Sequence, residues 1–486
     1  MIHLPFFGRY PSAALFFCTL LCVFGSKLAV IDRYGTDLPF QDQWGKEADF
    51  VLAPLREGNP AWLQGALLPH NEHRIYFTLG VDVLLTLISG QWDARQECVV
   101  SALLHAAIAV SLALFAWRRL PGAWGAVSAG VIVALTALPL AWDNVLWAFQ
   151  SQFYFLIGFS LLGMDGLLRQ TFSVRWWLGL LAMSCALVSM GSGFLGALAL
   201  VPLFLRDLVG AGRTWRTRLS LLATTAVLAL GWCLSFAPPW HASLRAGDVN
   251  DFAAYAAHCL AWPAPTHVIL GVLFYSPLLL LAVHWLRRGA PPGPAGHALR
   301  FTLAMGAWTL LQIAAVSYAR GNNGGFPANR YGDILAVGII ANAFALGLLA
   351  PALGNMRRGW LVWAAAWLVG LGLSAATELT EIYREELPQH RRLTEAFESS
   401  VRAYILDGDA AALRNRPIPF PDYDWFIRLL DRPSIRAILP PSVTNPPRVS
   451  MLSSAASHLA KLGWFVLSIG LVCLALVAIR RRRAPA

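Results

Sequence analysis

Charged residues are scarce in this sequence of 486 residues. They make up 13% of the chain, whereas 57% of the residues are hydrophobic and the mean hydropathy is +0.54. A soluble domain carries about 25% charged residues. The composition therefore excludes a soluble enzyme, a disordered chain and a nucleic-acid-binding protein, and it predicts an all-α polytopic membrane protein.

The sequence also lacks a cysteine pattern typical of secreted scaffolds. Its seven cysteines are an odd number, and most of them fall inside apolar runs. We therefore expect no disulfide framework.

Apolar stretches long enough to cross a membrane recur along the chain, because a span needs about 20 mostly apolar residues. Ten are clear from the sequence: 12–31, 97–117, 123–140, 149–168, 219–237, 268–286, 301–318, 334–353, 359–376 and 459–479.

Two further stretches are ambiguous. Residues 176–205 are interrupted by Met190-Gly191-Ser192-Gly193, which predicts a turn between two short spans, and residues 74–90 are short and contain Arg74 and Asp82. If 176–205 is a hairpin and 74–90 does not cross, the arginines gather on one face, as the positive-inside rule requires. The prediction is about twelve spans with both termini cytoplasmic, and most acidic residues outside.

Three regions follow from this topology. Residues 1–376 form a transmembrane core with a long outer loop at 32–96, and residues 377–458 form a periplasmic helical and Pro-rich segment. Residues 459–486 hold the last transmembrane helix and a basic cytoplasmic tail.

The outer loop contains two predicted helices that lie along the membrane. In the first, apolar residues recur at helical spacing with charges between them, which is typical of an amphipathic interfacial helix. The second is the apolar helix that follows the polar cluster at 70–74. The apolar positions of the first helix are Trp44, Ala48, Val51, Leu52 and Leu55.

This arrangement resembles the GT-C superfamily of integral-membrane glycosyltransferases. The resemblance depends on Asp42 after the first span, the 70–74 cluster, Asp143 at the outer start of a span, and the pair Arg330-Tyr331. It implies a bacterial enzyme that uses a polyprenyl-phosphate-linked sugar at the outer face of the cytoplasmic (inner) membrane. The acceptor would be an envelope glycan, a lipid or a protein.

Inverting sugar transfer needs a base for the acceptor and cations for the departing phosphate. The resemblance assigns the base role to Asp42, for which the alternative is a helix cap. Asp143 is a second candidate catalytic carboxylate, for which the alternative is a solvated loop end. Position 43 is Gln, so no acidic pair stands at Asp42, and the use of a metal stays open.

Arginine is the residue best suited to phosphate, because its guanidinium matches two phosphate oxygens. Arg74, Arg320 and Arg330 are therefore predicted to bind substrate phosphate; as an alternative, they anchor the chain at the headgroups. We add the neighbouring Tyr331 and, from the polar cluster, Glu72 and His73 as substrate-binding candidates.

No cofactor is certain from the sequence, although a divalent metal ion is one option. His70, Glu72 and His73 have suitable ligand chemistry. Their spacing lacks the i, i+4 geometry of a helical zinc motif, so a polar hydrogen-bonded turn is the alternative.

The leading hypothesis is thus a glycosyltransferase whose partners are the lipid-linked donor, its acceptor and membrane lipids, with no nucleic acid. A 12-span transporter or lipid flippase is the alternative, although such proteins commonly repeat one half in the other and we find no internal repeat. A polymerase or ligase of envelope polymers is a third option, because His390 and several arginines lie in the segment at 377–458.

Overall fold

The computed structural model describes residues 11–209, 214–352, 357–414 and 422–483, and the regular secondary structure in these ranges is helical. A helix lies at each of the twelve positions where a span is predicted. In chain order they are α1 Pro11–Tyr34, α2 Ala94–Arg119, α3 Trp124–Ala137, α4 Ser151–Leu167, α5 Val174–Ala186, α6 Leu195–Val209, α7 Trp215–Leu234, α8 Leu270–Arg288, α9 Gly293–Arg320, α10 Gly332–Leu349, α11 Arg357–Glu381 and α12 Gly463–Arg483.

The lengths of these helices divide them into two groups. Among the described residues, seven helices are long and apolar enough to cross a membrane, namely α1, α2 and α7 to α11. The pair formed by Met451–Lys461 and α12, bent by 48°, brings the number to eight. The other four, α3 to α6, are 13 to 17 residues long. The predicted all-α polytopic membrane protein is confirmed, and α5 and α6 form the predicted hairpin.

The loops between these helices gather at two opposite ends of the bundle. At one end, Asp165 of α4 pairs with Arg169 at 2.7 Å and with His297 of α9 at 3.4 Å, and Arg300 pairs with Asp207 at 2.5 Å. The opposite end, which we call the site end, joins the loops after α1, α3, α5, α7 and α9. The contacts between the loops therefore agree with the predicted grouping of loops on two faces. The two chain termini lie outside the described residues.

Polar residues inside the bundle connect its helices. The Asn342 side-chain oxygen accepts a hydrogen bond from the Leu278 backbone N–H at 2.9 Å, and His105 Nε2 lies 3.7 Å from an Asp333 oxygen. Such side chains are typical interhelical partners in membrane proteins.

Short helices cover the site end. Two of them begin at an aspartate that caps the first turn: the Asp248 carboxylate accepts from the backbone N–H groups of Asn250 and Asp251, and the Asp422 carboxylate accepts from that of Trp425. The other helices outside the bundle are Trp44–Leu52 (a π-helix) continued by Ala53–Arg56, then Ala61–Leu67, Tyr76–Ser89, Asp143–Leu146, Val249–Leu260, Ile382–Glu386 (a π-helix) continued by Leu387–Asp407, Ala410–Arg414, Tyr423–Leu430, Pro433–Arg436 and Met451–Lys461.

The loop at 32–96 and the segment at 377–458 share a second hydrophobic core, separate from that of the bundle. Trp44 packs edge-on against Phe426 of the segment, with ring centroids 4.8 Å apart. The predicted amphipathic helix does form, but the expectation that its apolar face meets lipid is wrong. Trp44, Ala48 and Val51 are fully buried by protein, because the segment supplies a complementary apolar surface.

Candidate functional site

A tight turn at residues 70–73 forms the centre of the site. His70 and His73 exchange two backbone hydrogen bonds, of 2.7 and 2.8 Å, and Asn71 between them has a φ of +49°. The turn between α5 and α6 packs against it, since the Gly191 backbone N–H donates to His73 Nδ1 at 3.1 Å. This hydrogen bond joins the turn at 70–73 to the turn between α5 and α6, although the two residues are 118 positions apart in the sequence.

The Asp42 carboxylate faces this turn. One of its oxygens lies 3.3 Å from His70 Nε2, and the side chain is 43% exposed, against 18% for His70. The N-cap position of the π-helix that follows is Gln43, whose side chain makes no capping hydrogen bond. Asp42 is thus an accessible carboxylate in contact with an imidazole.

Asp143 and Arg330 lie near each other at the site end. The Asp143 backbone N–H donates to the Asn329 side chain at 3.2 Å, and the Asn144 side-chain amide donates to the Arg330 carbonyl oxygen at 2.8 Å. Burial raises the pKa of Asp143 to about 6, although the nearby Arg330 guanidinium opposes the rise and Glu386 adds to it. Asp143 therefore exchanges a proton close to neutral pH.

A cavity of about 290 Å³ lies beside the turn at 70–73 and the turn between α5 and α6. Its polar end is lined by Glu72, His73, His241, Arg320 and Tyr331, and its remaining walls are mostly apolar. The apolar lining includes Phe194, Phe236, Ile313, Val316 and Leu335.

An ion-pair cluster fixes the polar end of this cavity. Glu72 pairs with Arg320, and its other oxygen lies 2.9 Å from His241 Nδ1. Burial lowers the pKa of His73 to about 4, although Glu72 acts in the opposite direction. His73 is therefore neutral at pH 7, and because its Nδ1 accepts from Gly191, its proton is on Nε2, 3.6 Å from Glu72.

Arg74 lies apart from the cavity. Its guanidinium donates to the backbone carbonyls of Leu67 at 3.2 Å and Leu234 at 3.4 Å, and so connects the loop at 32–96 to the end of α7. Of the predicted site residues, Glu72, His73, Arg320 and Tyr331 line the cavity, whereas Asp42, His70, Asp143 and Arg330 are not among its lining residues. Arg330 is within electrostatic range of both Asp42 and Asp143.

Three acidic side chains lie buried directly behind Asp42. Oxygens of Glu47, Asp82 and Glu97 lie within 4.8 Å of one another, and the residues are 0%, 0% and 4% exposed. The Gln43 amide donates to Glu47 at 2.8 Å and to Glu97 at 3.4 Å, and Trp92 donates to Glu47 at 3.2 Å. Burial raises the pKa of Glu47 to about 7, against the effect of these two donors.

This acidic triad has the donor set of a site for a hard divalent cation. One oxygen of Glu47 and one of Asp82 are buried without a hydrogen-bond partner, and carboxylate oxygens are the ligands preferred by Mg²⁺, Ca²⁺ and Mn²⁺. The residues present therefore fit such an ion.

The turn at 70–73, whose residues were the metal candidates in the sequence, has its ligand atoms engaged with other groups. His70 is paired with Asp42, Glu72 is held by Arg320 and His241, and His73 Nδ1 accepts from Gly191. The hydrogen-bonded turn, which was the alternative, is what the chain forms.

Sequence reasoning missed the acidic triad and His241. A signal for the triad was present, because Asp82 lies in an otherwise apolar helix, and an ionisable residue in such a setting is commonly functional. For Glu47 the sequence indicated an exposed side chain instead, because this residue lies between the apolar positions of an amphipathic pattern. His241 carries no local pattern, and only its contact with Glu72 identifies it.

No family model and no curated protein matches this sequence. Among solved structures, the chain is similar to the archaeal oligosaccharyltransferase AglB from Archaeoglobus fulgidus, solved in complex with an inhibitory peptide and a dolichol-phosphate. The TM-score is 0.47 with 13% sequence identity, and the alignment covers 92% of this chain and 61% of that chain. This chain therefore spans about three fifths of the archaeal protein.

Proposed function

We propose that this chain transfers a sugar from a polyprenyl-phosphate-linked donor to an envelope glycan, lipid or protein acceptor. The reaction would take place at the outer face of a bacterial cytoplasmic membrane, with Asp42 as the base. The observation that carries the proposal is the contact of the accessible Asp42 carboxylate with His70, in the turn beside a cavity that has a polar end with arginine and apolar walls.

Donor binding is supported by the two-sided chemistry of the cavity. A polyprenyl phosphate combines an anionic head with an apolar chain, and the cavity offers Arg320 and Tyr331 at one end and aliphatic and aromatic walls elsewhere. Arginine forms paired hydrogen bonds to phosphate oxygens. In this proposal Glu72 and His73 hold Arg320 and the turn in position, and Arg74 acts only by holding the loop.

The transfer step is a single displacement at the anomeric carbon. Asp42 takes the proton of the acceptor hydroxyl, and that oxygen forms a bond to the anomeric carbon. The bond between this carbon and the phosphate oxygen breaks, and its electron pair leaves with the polyprenyl phosphate. Arg330 lies within electrostatic range of Asp42 and Asp143, where it would stabilise the developing negative charge.

Asp143 would orient the acceptor as a second carboxylate. Its pKa of about 6 leaves it mostly ionised at neutral pH. A divalent cation held by Glu47, Asp82 and Glu97 would supply positive charge behind the loop that carries Asp42.

The test is Asp42→Asn in membranes supplied with radiolabelled polyprenyl-phosphate mannose, glucose and arabinose. Loss of a general base typically costs 10²–10⁴-fold in rate, so we expect donor consumption by the variant to fall by at least about 100-fold. Asp32→Asn is the matched control, because Asp32 is an exposed carboxylate at the end of α1.

Normal consumption by a normally expressed Asp42→Asn protein would exclude the base assignment. Movement of intact donor across the bilayer of proteoliposomes, without cleavage by the wild type, would instead support the flippase alternative.

A further inference from the structure

A second cavity, larger than the one at the site end, lies toward the opposite end of the bundle. It has a volume of about 530 Å³ and is bounded by α2, α4 and the start of α5. None of its lining residues also lines the cavity at the site end. A ligand there would be independent of the proposed sugar donor.

The walls of this second cavity are apolar and elongated. Ile108, Leu112 and Phe115 of α2 face Phe155 and Phe159 of α4. Along α4 the lining runs from Tyr154 to Asp165, which at 1.5 Å per residue is about 16 Å. One leaflet of the hydrocarbon core is about 15 Å thick, half of 30 Å. The cavity therefore has the length of an acyl chain.

One end of the cavity is strongly basic. Four arginines line it, and Asp165 is the single acidic residue of the lining. Asp165 is already paired with Arg169 and His297. Among the described ion pairs, none includes Arg118, Arg119 or Arg175. Three guanidinium groups are thus left for an external anion.

We propose that this cavity is a binding site for one anionic phospholipid. The phosphate contacts Arg118, Arg119 and Arg175, and an acyl chain lies along the apolar wall between α2 and α4. Arginines are suited to phosphate oxygens, and basic pockets between transmembrane helices on the cytoplasmic side bind such headgroups. Arginines that served only as topological anchors would need no apolar cavity beside them.

The experiment uses the full chain purified in a mild detergent. Thermal unfolding is followed while phosphatidylglycerol, cardiolipin, phosphatidylcholine or inorganic phosphate is titrated in. We expect a saturable rise of the unfolding temperature with the two anionic lipids, and no rise with phosphatidylcholine or inorganic phosphate. Native mass spectrometry should count one retained lipid per chain.

Two variants separate the headgroup contact from the acyl contact. The triple substitution Arg118→Gln, Arg119→Gln and Arg175→Gln should weaken the apparent affinity at least tenfold. Gly158→Leu keeps the arginines but fills the cavity, because a Cβ on Gly158 already lies 3.4 Å from the Ile108 side chain, and it should cause a similar loss. Arg287→Gln with Arg288→Gln is the matched control at the end of α8, outside the cavity lining.

An equal response to phosphatidylcholine would overturn the proposal, as would full retention of the response by Gly158→Leu. A response to inorganic phosphate alone would show a simple anion site and would overturn it as well. If the triple variant does not fold, the comparison of Gly158→Leu with wild type decides.

Discussion

Glu47, Asp82 and Glu97 bring three carboxylates together in a place shielded from water. No described ion pair includes any of them, and the donors Gln43 and Trp92 leave one oxygen of Glu47 and one of Asp82 without a partner. An isolated buried carboxylate is strongly unfavourable unless it is paired, protonated or bound to a metal. The negative charge of the triad is therefore neutralised either by protons that the carboxylates share or by a bound cation.

A chelation experiment distinguishes the two states of the triad. After treatment with EDTA, addition of Mn²⁺, Mg²⁺ or Ca²⁺ should raise the unfolding temperature of the purified chain in a saturable way, since a ligand that binds only the folded state stabilises it. Asp82→Asn should abolish this rise, whereas Glu381→Gln, at an exposed carboxylate at the end of α11, should not. If the wild type does not respond to any of the three ions, the carboxylates are held by shared protons.

At the scale of single elements, α1 and α12 approach each other unusually closely. A Cβ atom built on Gly25 would lie 2.4 Å from the Leu467 backbone nitrogen, and one on Gly470 would lie 2.7 Å from the Cys22 backbone nitrogen. Small residues at such positions let membrane helices pack backbone to backbone. The last helix is thus fixed against the first, which carries the loop with Asp42.

Gly25→Leu should therefore destabilise the protein. Overpacking of a tight interface costs about 1–3 kcal/mol, and unfolding in a titration with SDS should report a loss of that size. Gly130→Leu in α3 is the control, because a Cβ there meets nothing within 4 Å. Equal effects of the two substitutions would mean that the contact between α1 and α12 contributes no stability.

At the scale of the whole molecule, the described residues form two hydrophobic cores. The second joins the loop at 32–96 to the segment at 377–458, and ion pairs surround it: Arg432 contacts Asp49 at 2.8 Å and Glu57 at 2.7 Å. This core positions the helix that begins beside Asp42. Stability of the candidate site therefore depends on a segment more than 300 residues away in the sequence.

Phe426→Ala should loosen both parts of the second core together. Truncation of a buried Phe costs about 3–5 kcal/mol, and Phe426 is fully buried against Trp44. Hydrogen–deuterium exchange should then become faster in both 44–56 and 423–439, with the bundle unchanged. Arg428→Ala, at an exposed position of the same helix, is the control. Faster exchange in 423–439 alone would contradict a shared core.

The sequence by itself determined the helical class, the position of each of the twelve helices and the α5–α6 hairpin. These features follow from apolar runs, from turn residues such as Gly191 and Gly193, and from the distribution of arginines, all of which act over short stretches of chain. It also identified Asp42, Asp143, Arg320 and Arg330 as residues of the site end, because they follow or precede apolar runs on one predicted face.

Only the tertiary structure decided which of these groups meet. Glu72 contacts Arg320, 248 residues away, and His241, 169 residues away, whereas Arg74, next but one to Glu72, contacts the carbonyl oxygens of Leu67 and Leu234 instead. The amphipathic helix at 44–56 likewise faces protein rather than lipid, because the distant segment at 377–458 packs against it. An apolar stripe specifies that a face will be buried, but its partner depends on how distant segments pack.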